Sequence, residues 1–316
     1  MSNTDPNGAY SIHRLSTANL CDLAKLYTAV YNRVSLPGYF ERKYNTAYTN
    51  IEHTGFIAYN NQKLPIAFYG VIPCFMQCNG EQVLAAQSVD TMTHPDYRNK
   101  GLFVELASRT FELCSQVGIK LLFGFPNQNS LPGFINKLDW QMAERMDCFV
   151  IPVKTLPAEK LAIKFPSLKK LYSWYTTRVL KKYLTPLPGI SSSVLTNGYD
   201  GLLRNQGYLQ NKTYSTTRVI SINGVDIWIK INNGLLIGDI LVTAEKFTLV
   251  VNQLVNIARK LGLSRVQFHT SRGTPLHQLF ALHYKAVDSF PVIFKDLGSG
   301  IPTGKIKFTF ADIDIF

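Results

Sequence analysis

Gln87-Ser88-Val89-Asp90-Thr91-Met92-Thr93-His94-Pro95-Asp96-Tyr97-Arg98-Asn99-Lys100-Gly101-Leu102-Phe103 is the stretch whose reading decides the fold. Its first part closes an apolar, β-branched run from Val83 to Thr93 that reads as a strand, and Pro95 ends it. Beyond the basic turn, Leu102, Phe103, Leu106, Phe111, Cys114 and Val117 recur at helical steps of three and four. A helix starting there leaves its first backbone N–H groups unpaired. With the helix dipole behind them and Arg98 and Lys100 beside them, they form an anion site. Gly101 has no Cβ to keep a phosphate from the backbone. The alternative is an ordinary strand-to-helix turn with surface cations, but motif and context agree on the anion site.

Outward from this stretch, 316 residues are enough for two domains. A hydrophobic content of 46% can fill their cores, and only 17% charged residues argues against disorder. The polar start Met-Ser-Asn-Thr-Asp-Pro-Asn-Gly lacks the pattern of a signal peptide, and no apolar run has the length of a membrane span. The expectation is a soluble, cytoplasmic protein with no metal. Cys21, Cys74, Cys78, Cys114 and Cys148 show neither zinc spacing nor a C-x-x-C pair and read as buried free thiols. The net charge of +12 is concentrated: residues 151–190 hold eight basic side chains against Glu159.

Strand, Pro-Asp-Tyr-Arg-Asn-Lys-Gly and helix together resemble the acetyl-CoA-binding motif of the GNAT acyltransferase superfamily. In that family the arginine-x-x-glycine turn holds the pyrophosphate. The resemblance therefore implies acetyl-CoA as acyl donor, bound by Arg98, Asn99, Lys100, Gly101, Leu102 and Phe103. The family usually has Gly or Ala where Phe103 stands. It also implies that the backbone around Thr91, Met92 and Thr93 meets the thioester carbonyl.

The flanking chain reads as strand 10–15, helices 17–33 and 38–48, strands 55–59 and 66–76, and a hairpin at Asn79-Gly80. After the motif helix come strand 120–125, helix 127–138 and strand 141–150. This β-α-α-β-β-β-α-β-α-β order is that of a complete GNAT fold, and the resemblance covers about residues 8–152. Phe125-Pro126-Asn127 resembles a turn of a bacterial tandem-domain subgroup, which makes Asn127 a cofactor contact; alternatively it caps the next helix. Prolines punctuate 153–190, a basic connector. Its apolar stripe (Leu168, Leu171, Tyr172, Tyr175, Val179, Tyr183) favours a helix that buries one face and exposes its lysines. Binding to a membrane surface, an anionic glycan intermediate or nucleic acid is the competing reading. Ala258–Phe268 echoes Cys114–Phe123, and Asn223-Gly224 marks another hairpin. Residues 191–316 thus read as a second, degenerate GNAT-like domain without the pyrophosphate turn, supplying a wall of the acceptor site. The fold class is α+β with a mixed sheet: domain 1–152, connector 153–190, domain 191–316.

Acyl transfer requires the acceptor to lose a proton and the developing oxyanion to be stabilised. Asp90, an acid inside an apolar strand, is the first choice of base, because burial without a partner would raise its pKa. The competing reading is a structural carboxylate bonded to backbone or lysine. Ile135 stands where the family often has a tyrosine acid. His94, His269, His277 and His283 read as structural, and Asp312 and Asp314 as a solvated edge that can also bind sugar hydroxyls or an amine. The resemblance implies acyl transfer from coenzyme A to an amine or hydroxyl of a small polar acceptor, such as an amino sugar, with nucleic acid disfavoured as a partner. The alternatives are an aminoacyl transferase using charged tRNA and a non-catalytic acyl-CoA-binding module.

Overall fold

The computed structural model describes residues 10–316 and the backbone of 3–4. In chain order the elements are β1 (Asn3–Thr4), β2 (Tyr10–Arg14), α1 (Leu20–Tyr31), α2 (Tyr39–Lys43), β3 (Gly55–Asn60), β4 (Pro65–Cys78), β5 (Glu81–Thr93), α3 (Leu102–Gln116), β6 (Leu121–Gly124), α4 (Leu131–Leu138) and β7 (Gln141–Pro152). There follow α5 (Ala158–Lys164), α6 (Lys169–Leu180), α7 (Ser193–Thr196), β8 (Gly201–Leu202), α8 (Gln206–Asn211), β9 (Thr217–Ile222) and β10 (Val225–Ile231). The chain ends with β11 (Leu235–Ile240), α9 (Ala244–Lys260), β12 (Arg265–Thr270), α10 (Pro275–Ala281) and β13 (Ala286–Asp296).

Two compact units result, and neither is contiguous in sequence. The first is Met1–Ala143, Gln206–Tyr214 and Pro291–Gly304; the second is Glu144–Asn205, Ser215–Phe290 and Lys305–Phe316. These limits differ from breaks at 152/153 and 190/191, for a reason that lies in strand pairing. The end of β13 pairs antiparallel with β6 in the first unit (Ile293↔Gly124 to Asp296↔Leu121), while β7 pairs with β12 in the second (Asp147↔Thr270 to Pro152↔Arg265). Each unit is completed by a segment from a distant part of the chain.

In the first unit β2 to β5 run antiparallel in order, and β5 and β6 are parallel. The β4–β5 hairpin turns at Asn79 (φ 50°) and Gly80 (φ 85°), both left-handed, as a two-residue hairpin requires. Alternation along the strands then sorts side chains between two cores. Ala58, Tyr69, Leu122 and Trp140 pack with α3 and α4, whereas Ile57, Phe68 and Val89 pack with α1 and α2. Each large side chain buried there contributes about 1.5–3 kcal/mol.

The second unit repeats the order of strands and helices. An Asn223-Gly224 hairpin (φ 52° and 76°) joins β9 to β10, β11 lies parallel to β12, and α9 makes the crossover. Phe247, Val250 and Leu254 of α9 bury against Ile237 and Phe268 of these strands.

Local limits shift where tertiary contacts override pattern. The helix expected over 38–48 stops at Lys43 and resumes as a single 3-10 turn, Ala47–Thr49; α4 starts at Leu131 rather than Asn127. Four cysteines are buried thiols, but Cys21 is exposed. The stripe of the connector does not bury as expected: Leu168, Leu171 and Tyr175 are all exposed.

Candidate active site

The site is built on the end of β5. Its last parallel pair with β6 is Ser88↔Gly124, and β5 then continues to Thr93 without β6 beside it. Between Gly70↔Val89 and Phe68↔Met92 one residue of β4 opposes two of β5. That is a β-bulge, and Asp90 sits in it with a left-handed φ of 49°. A non-glycine residue is held there only when its surroundings fix it.

The surroundings do so. Lys43 Nζ lies 2.8 Å from the Asp90 carboxylate and the Tyr44 hydroxyl donates to it at 2.9 Å. The Lys43 side chain is fully buried and Asp90 nearly so. Tyr39 and Tyr214 place their rings 5.4 and 5.9 Å from the same ammonium. Burial first, and then the Asp90 charge, pushes the Tyr44 hydroxyl well above the usual range, so it keeps its proton and donates. The premise for a free base was an unpaired carboxylate. The structure removes that premise and shows the lysine-bonded alternative instead.

Beyond the bulge, His94 accepts from the Asp96 N–H at 3.3 Å and caps the turn Pro95–Tyr97, as a structural histidine. Arg98 is extended, Asn99 (φ 62°) and Gly101 (φ 79°) are left-handed, and α3 begins at once. A Cβ on Gly101 would meet nothing, so open space lies above the helix N-terminus. Arg98, Asn99, Lys100 and Gly101 are exposed together; Lys100 lies 4.7 Å over the Tyr97 ring, whose hydroxyl accepts from Asn60. Glu105, the acid of the first turn, is engaged by Tyr10 at 2.6 Å and Arg109 at 2.9 Å. These features fit the phosphates of coenzyme A: uncapped N–H groups, two cations and room.

Other candidates have different surroundings. Met92 and Leu102 are buried in the cores, so only their backbone can face a ligand, while Thr91 and Thr93 are half-exposed. Phe103 packs against Tyr69 and Phe134, and Gly133 of α4 gives it room: a Cβ there would lie 2.9 Å from the ring. The Asn127 side-chain oxygen accepts from the N–H groups of Asn129 (2.9 Å) and Ser130 (3.0 Å), the role of a turn cap. Ile135 packs against the core of the α3–α4 face. Asp312 is not a solvated edge; it is buried and ion-paired to Arg204 at 2.8 Å.

Two groups escaped the sequence reading. Lys43 lies in a polar-looking helix, with nothing local to mark it as Asp90's partner. The segment Gln206–Tyr214 joins this unit and, with Arg42, Asn45 and Tyr48, lines a cleft of about 280 Å³. There the Asn211 amide donates to the Arg42 and Asn45 carbonyls, and Gly207 is glycine because a Cβ would meet Tyr48 Cβ at 2.6 Å. Among the described residues no cluster of His, Cys, Asp or Glu has a metal-holding arrangement, and no helix is long and apolar enough to cross a membrane.

Comparison with known proteins bears on the family and the fold. Residues 11–143 match the family described as acetyltransferase (GNAT) domain. A GCN5-related N-acetyltransferase from Kribbella flavida is similar in structure, with a TM-score of 0.57 at 10% identity over 91% of this chain and 71% of that one. A conserved protein of unknown function from Enterococcus faecalis V583, described as a probable N-acyltransferase, gives 0.59 at 9% identity over 91% and 73%. A GCN5-related N-acetyltransferase from Anabaena variabilis ATCC 29413 gives 0.53 at 16% identity, covering 91% and 72%. At these identities the likeness is one of fold. No curated protein matches the chain.

Proposed function

From the match of residues 11–143 to the acetyltransferase (GNAT) domain, we propose that the chain is a GNAT acyltransferase that moves an acetyl or short acyl group from coenzyme A to an amine or hydroxyl of a small polar acceptor. The observation that carries this reading is the left-handed turn at Asn99 and Gly101, opening on an uncapped helix where β5 has parted from β6. Arg98, Lys100 and the first N–H groups of α3 would hold the pyrophosphate, and Thr91 to Thr93 would offer backbone donors beside the thioester. Coenzyme A supplies an activated acyl group and a good leaving thiolate.

Within this reading Asp90 acts by position. Its ion pair with Lys43 holds the left-handed bulge, after which Met92 and Thr93 are again opposite Phe68 and Ala67 of β4. The cleft between α2 and the segment Gln206–Tyr214 would form an acceptor wall, since it lies on the helix that carries Lys43. Its lining of amides, hydroxyls and one guanidinium suits a polar acceptor such as an amino sugar. Ile135, an apolar residue in the place of the usual acid, favours a second reading, a module that binds acyl-CoA without turnover.

Incubation with acetyl-CoA and a panel of amino sugars, amines and hydroxyl compounds, followed by titration of released thiol, separates the two. Acceptor-dependent thiol release is expected. Tight acetyl-CoA binding with no release on any acceptor would favour the binding module.

A further inference from the structure

The helical hairpin α5–α6 exposes what a protein usually covers. Leu161 (47% exposed), Ile163 (68%), Leu171 (62%) and Trp174 (58%) stand open, and a groove of about 360 Å³ between the two helices is walled almost wholly by apolar side chains. A cluster of this size on one short segment marks a contact surface. The same segment carries the concentrated positive charge, and its lone acid, Glu159, is occupied, accepting from the Asn233 N–H at 2.7 Å.

A second cleft, also of about 360 Å³, opens on the other flank of Tyr172. Lys169, Ser173 and Thr176 of α6 face Thr216 and Arg218 at the start of β9 across it. Arg218 Nη1 is buried here with no hydrogen-bond partner among the described residues. An unpartnered buried guanidinium nitrogen is costly and calls for an acceptor. Cation, hydroxyls and enclosed volume suit a phosphate group.

We propose that this face docks on an anionic lipid surface, with Trp174 and Leu171 entering the acyl boundary and a headgroup phosphate received between Lys169 and Arg218. Long lysine side chains around an aromatic and aliphatic face are the make-up of a helix lying in a bilayer interface. A second copy of the chain is disfavoured, because two faces of the same strong positive charge repel. Nucleic acid would use the cations and rings but leave Leu161, Ile163 and Leu171 in water.

The chain carries its own reporter. Of its three tryptophans, Trp140 and Trp228 are buried and Trp174 is exposed. Addition of phosphatidylcholine vesicles containing phosphatidylglycerol is expected to shift tryptophan emission to the blue, and phosphatidylcholine alone to leave it unchanged. High salt should weaken the effect, Leu171→Glu should abolish it, and Arg218→Ala should lower apparent affinity about fivefold. Leu171 is exposed, so its variant keeps the test valid should Arg218→Ala fail to fold; circular dichroism checks both. No shift on anionic vesicles overturns the proposal. So does a concentration-dependent dimer that buries Trp174, or binding to an oligonucleotide that is as tight as vesicle binding and indifferent to Leu171→Glu.

Discussion

The parallel strand pair and crossover helix occur in both units, but the strand entering the helix ends differently in each. In the first, β5 bulges at Asp90, runs on past β6, and meets α3 through a left-handed glycine with open space above it. In the second, β11 also bulges, between Trp228↔Asp239 and Ile229↔Ile237, and its last parallel pair with β12 is Ile237↔Phe268. There α9 starts from Thr243 in an extended conformation, with no glycine and no cation in the turn. The C-terminal segment packs on this bulge: the Phe316 ring lies so close to Gly238 that no Cβ would fit, and Thr270 bridges to Thr309. Both bulges have an aspartate with a cation, Asp90 with Lys43 and Asp239 with Arg204 at 2.7 Å. One framework thus stays open for a ligand and the other is closed by its own chain. The difference lies in the turn and the plug.

The largest expected effect tests the closed side. Arg204 binds Asp239 and Asp312 with all three side chains fully buried, so Arg204→Met should cost about 3–5 kcal/mol or more, read by urea unfolding. Lys43→Met in the open unit should cost somewhat less, because Asp90 retains slight exposure. Equal losses would contradict the view that the second bulge is the more enclosed. Asp90→Asn sharpens the point: it leaves Lys43 buried without its partner, so stability falls, and a positioning role lowers turnover with the pH profile keeping its shape, whereas a base role removes the limb on which the rate rises with pH.

Phe316→Ala should remove about 3–5 kcal/mol by leaving a cavity over Gly238, with acetyl-CoA affinity unchanged. Altered affinity would mean that the two bulges are not independent.

Acid should strike the second unit through His269. Burial, aided by the Arg265 charge, holds its imidazole down at about 4. Between that value and the usual 6.5 the unfolded chain binds a proton that the folded chain does not, so stability falls as pH drops through this window. The loss should approach about 3 kcal/mol at pH 4, and His269→Gln should flatten the profile measured by thermal melts.

The smallest effect concerns the residue that departs from the usual family pattern. Gly133→Ala should cost about 1–3 kcal/mol by pressing on Phe103, and Phe103→Leu in the same chain should recover most of it. A double variant no better than the sum would break the argument that Gly133 makes room for Phe103.

The turn before α3 was legible in the sequence because its signals are local. Pro95, Asn99 and Gly101 punctuate the chain within a few residues of one another, and α3 announces itself by period. What pairs with what was not legible. Lys43 reaches Asp90 across 47 residues, and the strand segments 291–296 and 147–152 find partners that no nearby residue specifies. The α6 stripe has helical spacing, but spacing does not say whether anything covers the face, and Leu171 lies open. Asp312 read as an edge because its partner Arg204 is 108 residues away.

Calorimetry of acetyl-CoA with the wild type and with the Arg98→Glu, Gly101→Glu double variant tests the central claim most directly. Micromolar binding by the wild type, lost in a variant that melts at the same temperature, is the predicted result. An unresponsive wild type, or a variant that binds equally well, would contradict a coenzyme A site at the turn before α3.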